Sequence, residues 1–233
     1  MRLQARSADS PEKPSARSYV DRDKVAPSAE AILDAAEALF GRRGYAATSV
    51  TAICTASALP VGSIYHHFGS KAAILSAVLD RAGRRFFAEL DDAVGAQLEP
   101  EPRMRKYYEQ APNLMARNAN YFRILVATLQ QDGDKQLLAS ARQSVDAAAA
   151  TLAGVIEPVA AAAGAPDPAA LSLDMAEMTN SYALGAAILA SYDARHLRER
   201  LAPLYELIRG AIDKAAELTK GPRQTTWHYR QLD

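Results

Sequence analysis

A single cysteine in 233 residues leaves nothing for an intrachain disulfide and fits a reducing compartment. Charge of neither sign is in excess. The 27 lysines and arginines face 27 acidic residues, and residues 1–71 hold nine against seven. The strongly basic domain of a non-specific nucleic-acid binder is therefore missing. No run approaches the roughly 18 uninterrupted apolar residues of a membrane span, and the polar, proline-containing start lacks a signal-peptide core. A soluble, cytoplasmic protein with no membrane partner is expected. Strand signals are missing after Val94, and no repeat is evident. No Walker loop, dinucleotide fingerprint or Gly-x-Ser-x-Gly elbow occurs, so no enzyme chemistry is indicated. Adjacent His66 and His67 point about 100° apart on a helix, unlike a chelating i, i+4 pair, while His196 and His228 stand alone. No metal and no cofactor are implied.

What is present is concentrated between Ser49 and Phe68, SVTAICTASALPVGSIYHHF, followed at once by GSK. Val50, Ile53 and Cys54 repeat as the buried stripe of one helix. Cys54, at a small buried position, is read as inert rather than as a redox switch. The pattern breaks at Ser57–Pro60, since proline ends a helix but suits the first turn of the next. In that next helix Val61, Ile64 and Phe68 form the anchored side. Gly62, Ser63, His66 and His67 lie opposite, with Tyr65 at the border. Small residues and donors on the open side suit entry into a major groove, where polar side chains reach base edges and phosphates. Residues 49–68 read as a helix-turn-helix. Ser28 is expected to cap a preceding helix bearing Ile32, Ala35, Ala36, Leu39 and Phe40, ended by Gly44 after Arg42 and Arg43. Thr48 is expected to cap the helix that follows, and Ser70 the fourth helix. Leu75, Val78, Leu79, Ala82, Phe86 and Leu90 form that helix's stripe, with Lys71 in its first turn beside the phosphates.

The stretch ILDAAEALFGRRGYAATSVTAI, with GSIYHHFGSKAAIL after it, resembles the N-terminal domain of the tetracycline-repressor (TetR) family of transcriptional regulators over roughly residues 25–85. Gly44, Tyr45, Thr48, the 62–68 helix, Ser70 and Lys71 carry the resemblance in register. Ala58 stands where the family usually has glycine. Pro60 and Val61 replace a common Ser-Lys pair, so one phosphate contact the family often makes is missing. The expected DNA-binding residues are Arg43, Thr48, Ser49, Pro60, Val61, Gly62, Ser63, Tyr65, His66, His67 and Lys71. Residues 1–24 lack periodicity and read as a tail, and its Arg2, Arg6, Lys13, Arg17, Arg22 and Lys24 are candidates for a minor-groove arm. A solvated linker is the plainer alternative.

Residues 86–219 read as helical nearly throughout, with segments at 102–117, 119–130, 134–162, 168–192 and 196–219, which with the four before them make about nine helices in an all-α fold, followed by a tail at 220–233. The resemblance implies that this part holds an effector cavity and a dimer interface. Adaptable and aromatic side chains with interspersed polar ones make Met104, Tyr108, Asn113, Met115, Phe122, Arg123, Met178 and Tyr182 the expected ligand contacts, with Tyr107, Tyr121, Met175, Thr128 and Asn180 in the same concentration. The last two helices carry more apolar positions than one stripe requires. Leu184, Ile188, Leu201, Leu204, Ile208 and Ala211 are the expected interface of a four-helix homodimer contact. Paired recognition helices then fall about 34–36 Å apart on palindromic double-stranded DNA. The expectation is a repressor released by a small organic effector. Two alternatives stay open at this point: an architectural DNA-binding protein without effector, and a helical small-molecule-binding protein.

Overall fold

A computed structural model describes residues 27–95, 98–130 and 135–220. The basic arm, the C-terminal tail and His228 lie outside the described residues. Among the described residues there are ten helices and no strand: α1 Pro27–Arg43, α2 Val50–Ser57, α3 Val61–Phe68, α4 Lys71–Val94, α5 Pro100–Arg117, α6 Ala119–Leu129, α7 Lys135–Ala163, α8 Pro168–Leu189, α9 Ala194–Leu201 and α10 Leu204–Lys220. The expected last helix is two, because Pro203 has no N–H to donate and the helical hydrogen bonding lapses between Leu201 and Leu204. The expected 168–192 helix stops at Leu189, since Ser191 and Tyr192 adopt left-handed backbone at φ 49° and 61°.

Local capping explains most boundaries. Ser49 Oγ accepts from Ala52 N–H at 3.0 Å, Ser70 Oγ from Ala73 N–H at 3.0 Å, and the Asp193 carboxylate from the N–H groups of Arg195 and His196 at 3.0 Å. Two expected caps differ. The start of α2 is capped by Ser49, not Thr48, whose hydroxyl is buried and donates to Gly44 O at 2.8 Å. Ser28 lies inside α1, which already begins at Pro27.

The core runs through both halves of the chain. Ile32, Ala36, Leu39 and Phe40 of α1 meet Ile53, Ile64, Ile74, Leu75, Val78 and Leu79 around the helix-turn-helix. From there α4 continues between α5, α6 and α7, burying Ala82, Phe86, Leu90 and Val94. A Cβ at Gly41 would stand 2.7 Å from the Asn120 side chain, so only glycine lets the end of α1 approach α6 this closely. An ionic clamp joins α1 to α4. Arg81 donates to Glu30 at 2.6 Å, Asp34 at 2.7 Å and Glu37 at 2.9 Å, and Arg85 reaches the other Glu37 oxygen at 2.6 Å. Burial alone would weaken Arg81's hold on its proton, but the three carboxylates outweigh it and the pKa is raised.

The longest helix, α7, forms an antiparallel pair with α8 and also touches α4, α5, α6 and α10. By length and composition it is the one described helix apolar enough to cross a membrane. Its Leu137, Leu152, Val155, Ile156 and Val159 are buried in this fold, and alanine supplies much of the remaining apolar content.

Candidate nucleic-acid interface and interior cavity

The α2–α3 unit leaves one side uncovered by the rest of the described chain. Ile53 and Ile64 are fully buried, while Thr51, Thr55, Pro60, Val61, Gly62, Tyr65 and His66 face outward. Val61, expected among the anchors of α3, is 52% exposed, because no element covers the first turn of that helix. It joins Tyr65, 55% exposed, on the open side. A Cβ at Gly62 would meet nothing within 4 Å, so nothing in the subunit's own packing calls for glycine there. That bare stretch of backbone suits close approach by another molecule. Ser63 is half-buried, and Arg43 and Ser49 are exposed at the edge of the same region.

Three expected DNA contacts serve the fold instead. Thr48 is buried, as above. His67 Nε2 pairs with Ser28 Oγ at 2.7 Å, tying α3 to α1. Lys71 Nζ donates to Tyr45 O and Thr48 O, both at 2.8 Å, and sits 4.1 Å from the Tyr45 ring centroid. Burial lowers its pKa. Lys71 thus pins the α1–α2 turn against the start of α4 with two of its three donors. Ala58 closes α2 in left-handed backbone at φ 56°, the conformation that favours glycine there. Cys54 is a free, half-buried thiol.

About 25 Å along α4 from Lys71, taking 1.5 Å per residue, Phe86, Phe87 and Leu90 form one wall of a partly open cavity of about 70 Å³. Tyr107, Tyr108, Ala111 and Met115 of α5, Tyr121, Phe122 and Leu125 of α6, Val145, Ala148 and Leu152 of α7, and Thr179, Asn180, Ala183 and Leu184 of α8 complete it, with Leu201 and Leu204 as a floor. The rings meet edge to face, Phe86 with Phe122 at 5.0 Å and 89°, and Tyr121 with Phe122 at 4.8 Å and 60°. Tyr108 and Thr179 hydroxyls share a hydrogen bond of 3.2 Å. Burial pushes the Tyr108 and Tyr121 phenols up to about 12, and that of Tyr107 further, so all three stay neutral. Asn180 Nδ2 is buried without a partner.

Of the expected ligand contacts, Tyr108, Met115 and Phe122 line this cavity. Met104 is buried in the core elsewhere. Asn113 accepts from Arg198 at 2.9 Å on the surface, and Arg123 lies over the Tyr192 ring at 4.9 Å. Met178 and Tyr182 are half-exposed on the far side of α8. The expected interface residues Leu201, Leu204 and Ile208 are instead buried within the subunit, and Leu184 faces the cavity. Ile188 is exposed and Ala211 half-buried. The large apolar side chains that face outward are Leu173, Met178, Tyr182, Ile188 and Leu189 on α8, and Leu207 and Leu218 on α10. Sequence periodicity could not separate these sides, since α8 is apolar nearly all round. Among the described residues no group of three or more His, Cys, Asp or Glu is placed to hold a metal ion.

Residues 32–78 match the family described as bacterial regulatory proteins, tetR family. The HTH-type transcriptional regulator UidR of Escherichia coli (strain K12) is 39% identical over 64 residues, 26% of this chain and 33% of that protein. The HTH-type transcriptional repressor DhaR of Mycobacterium sp. (strain GP1) is 29% identical over 107 residues, 46% and 48% of the two chains. The matched segments thus span about a third to a half of these relatives. A solved structure, that of the fatty acid degradation regulator FadR from Bacillus halodurans, superimposes with a TM-score of 0.67 over 80% of this chain and 97% of that one at 16% identity, so the two share a fold. The match runs from within α1 to the first turns of α4, through the helices that build the exposed α2–α3 face, and over that region the chain carries a DNA-binding domain similar to that of the tetR family of regulatory proteins.

Proposed function

We propose that this protein is a cytoplasmic repressor that binds a palindromic operator as a homodimer and leaves it when a small organic molecule enters the interior cavity. One observation carries the reading: a single continuous helix, α4, begins under the recognition face and ends in the cavity wall. Enlarging the cavity displaces Phe86, Phe87 and Leu90, and α4 has no break at which to absorb the movement. Its far end is tied by Lys71 to the turn before α2 and by Arg81 to α1, so the recognition helix moves with it. A ligand shifts this equilibrium only by its difference in affinity for the two arrangements.

In this reading two copies meet through the outward side of α8 and α10. Met178, Tyr182 and Leu189 recur at i, i+4 and i+11 on α8, and Leu207, Ala211 and Leu218 at the same spacing on adjacent α10. Leu189, Leu207 and Leu218 are 70%, 62% and 73% exposed in the single chain. A contiguous apolar face of this kind marks an association surface. We further assign residues 25–85 to DNA binding and 86–219 to the cavity and dimer contact. The fatty acid regulator that shares the fold invites a fatty acid as effector. However, a carboxylate would find no cationic side chain along this cavity.

The test is to select DNA fragments from a random pool with the full chain, then titrate the selected site with and without candidate effectors. Binding to an inverted repeat by two chains, weakened by a molecule that protects the protein against heat, is the expected result. Coupling is reciprocal: an effector that weakens operator binding about 100-fold must bind the DNA complex about 100-fold less tightly, roughly 2.7 kcal/mol. Equal effector affinity for free and operator-bound protein would refute release by ligand.

A further inference from the structure

The cavity's chemistry goes further than its existence. None of its lining residues is Asp, Glu, Lys, Arg or His, and its three tyrosines hold their protons. A carboxylate, phosphate or ammonium group would lie there without a counter-charge, which burial penalises heavily. Six of the lining side chains are aromatic, and Phe86, Tyr121 and Phe122 already present edges and faces to one another at 4.8–6.3 Å. A planar ring completes such a cluster in the same geometry. The Tyr108 and Thr179 hydroxyls are already paired with each other. Asn180 Nδ2 remains a buried donor with no partner among the described residues, and such a group is costly until an acceptor reaches it. The space of about 70 Å³ is well below the several hundred of a drug-sized site, so the occupant is small and the adaptable Met115 side chain yields to it. Tyr108 also lines the surface groove between α5 and the α9–α10 break, so its side chain stands between that groove and the cavity.

We propose that the cavity takes a small, uncharged aromatic carbonyl compound whose oxygen accepts a hydrogen bond from Asn180 Nδ2. The proposal rests on the cavity being the effector site.

The test uses the full chain and four probes in calorimetry at neutral pH: acetophenone, its acceptor-free analogue ethylbenzene, the anion benzoate and the cation benzylammonium. Acetophenone should bind about tenfold more tightly than ethylbenzene, and at least about 100-fold more tightly than either ion. Asn180→Leu should bring acetophenone down to the ethylbenzene affinity while ethylbenzene itself is unchanged or tighter. The charge series needs only the unmodified protein, so it stands even if the variant fails to fold. Benzoate binding as tightly as acetophenone, a preference for acetophenone that survives in Asn180→Leu, or no acetophenone binding at all would each overturn the assignment. Operator release is measured separately. Acetophenone binding in the expected order without loss of operator affinity would uphold the ligand class and sink the effector reading. Release of operator by a charged molecule that fills this cavity would do the reverse.

Discussion

The recognition helix α3 and the C-terminal helices α8 and α10 pose the same question, which side faces inward, and answer it differently. In α3 a few apolar residues stand against polar and small ones, and only Ile64 is fully buried. One side is therefore open by composition. In α8 apolar residues occupy nearly every sector: Ala176, Ala186 and Ala187 pack in the core, Ala183 and Leu184 face the cavity, and Met178, Tyr182 and Leu189 face out. A helix with one apolar stripe declares its orientation, whereas one apolar all round takes its orientation from its neighbours. On α10 the distinction comes down to adjacent residues, Leu207 outward and Ile208 fully buried.

The sharpest way to break this comparison is therefore on α10. Ile208→Glu should bury an unpaired charge inside the subunit and lower stability by about 4 kcal/mol or more, with loss of the cooperative thermal transition. Leu207→Glu, one residue earlier, should keep the helical signal and instead yield monomers in sedimentation, with operator affinity falling toward that of one half-site. If Ile208→Glu stays folded and only dissociates, the inward and outward sides of α10 have been exchanged.

A smaller effect tests the support beneath α3. Lys71→Ala removes two charge-assisted hydrogen bonds to the turn before α2 and should destabilise the protein by about 2–3 kcal/mol. The slope of log affinity against log salt should be unchanged. A slope reduced by about one unit would return Lys71 to the phosphate contacts.

On α3 itself, replacing Ser63 or His66 should relax preference at defined positions of each half-site, at about 1–3 kcal/mol per lost base contact. Comparing selected sequences for wild type and variants reads this directly, and a uniform loss across all sequences would demote both residues to backbone contacts. The smallest expected change is a gain. Ala58 holds φ 56° between α2 and α3, and Ala58→Gly should raise stability by up to about 1 kcal/mol in thermal melts. A loss there would mean that the stiffer alanine helps the folded state more than its strain hurts it.

Much of the DNA-binding region was legible in the chain alone, because its signals are local. Proline at position 60, the cap at Ser70 and the period of Ile32, Leu39 and Phe40 act within one or two turns, and the helices follow them. Even there, tertiary contacts reassigned three side chains. Thr48 turned inward to Gly44, His67 to Ser28 and Lys71 to the Tyr45–Thr48 turn. A hydroxyl, an imidazole and an ammonium can equally serve a phosphate or a backbone carbonyl, and only proximity decides.

Residue order alone dictates that the described chain is helical, where most helices start and stop, and that a small anchored helix carries an open polar side. Periodicity and capping are properties of neighbouring residues, so they need no folded partner to act. Which concentration of aromatic side chains becomes a cavity was settled by five long helices converging on Tyr108, Phe122 and Asn180. The outward side of α8 and α10 was settled the same way. Burial is a property of the surroundings, and for side chains that would be stable on either side of a helix it is conferred only when the other helices arrive.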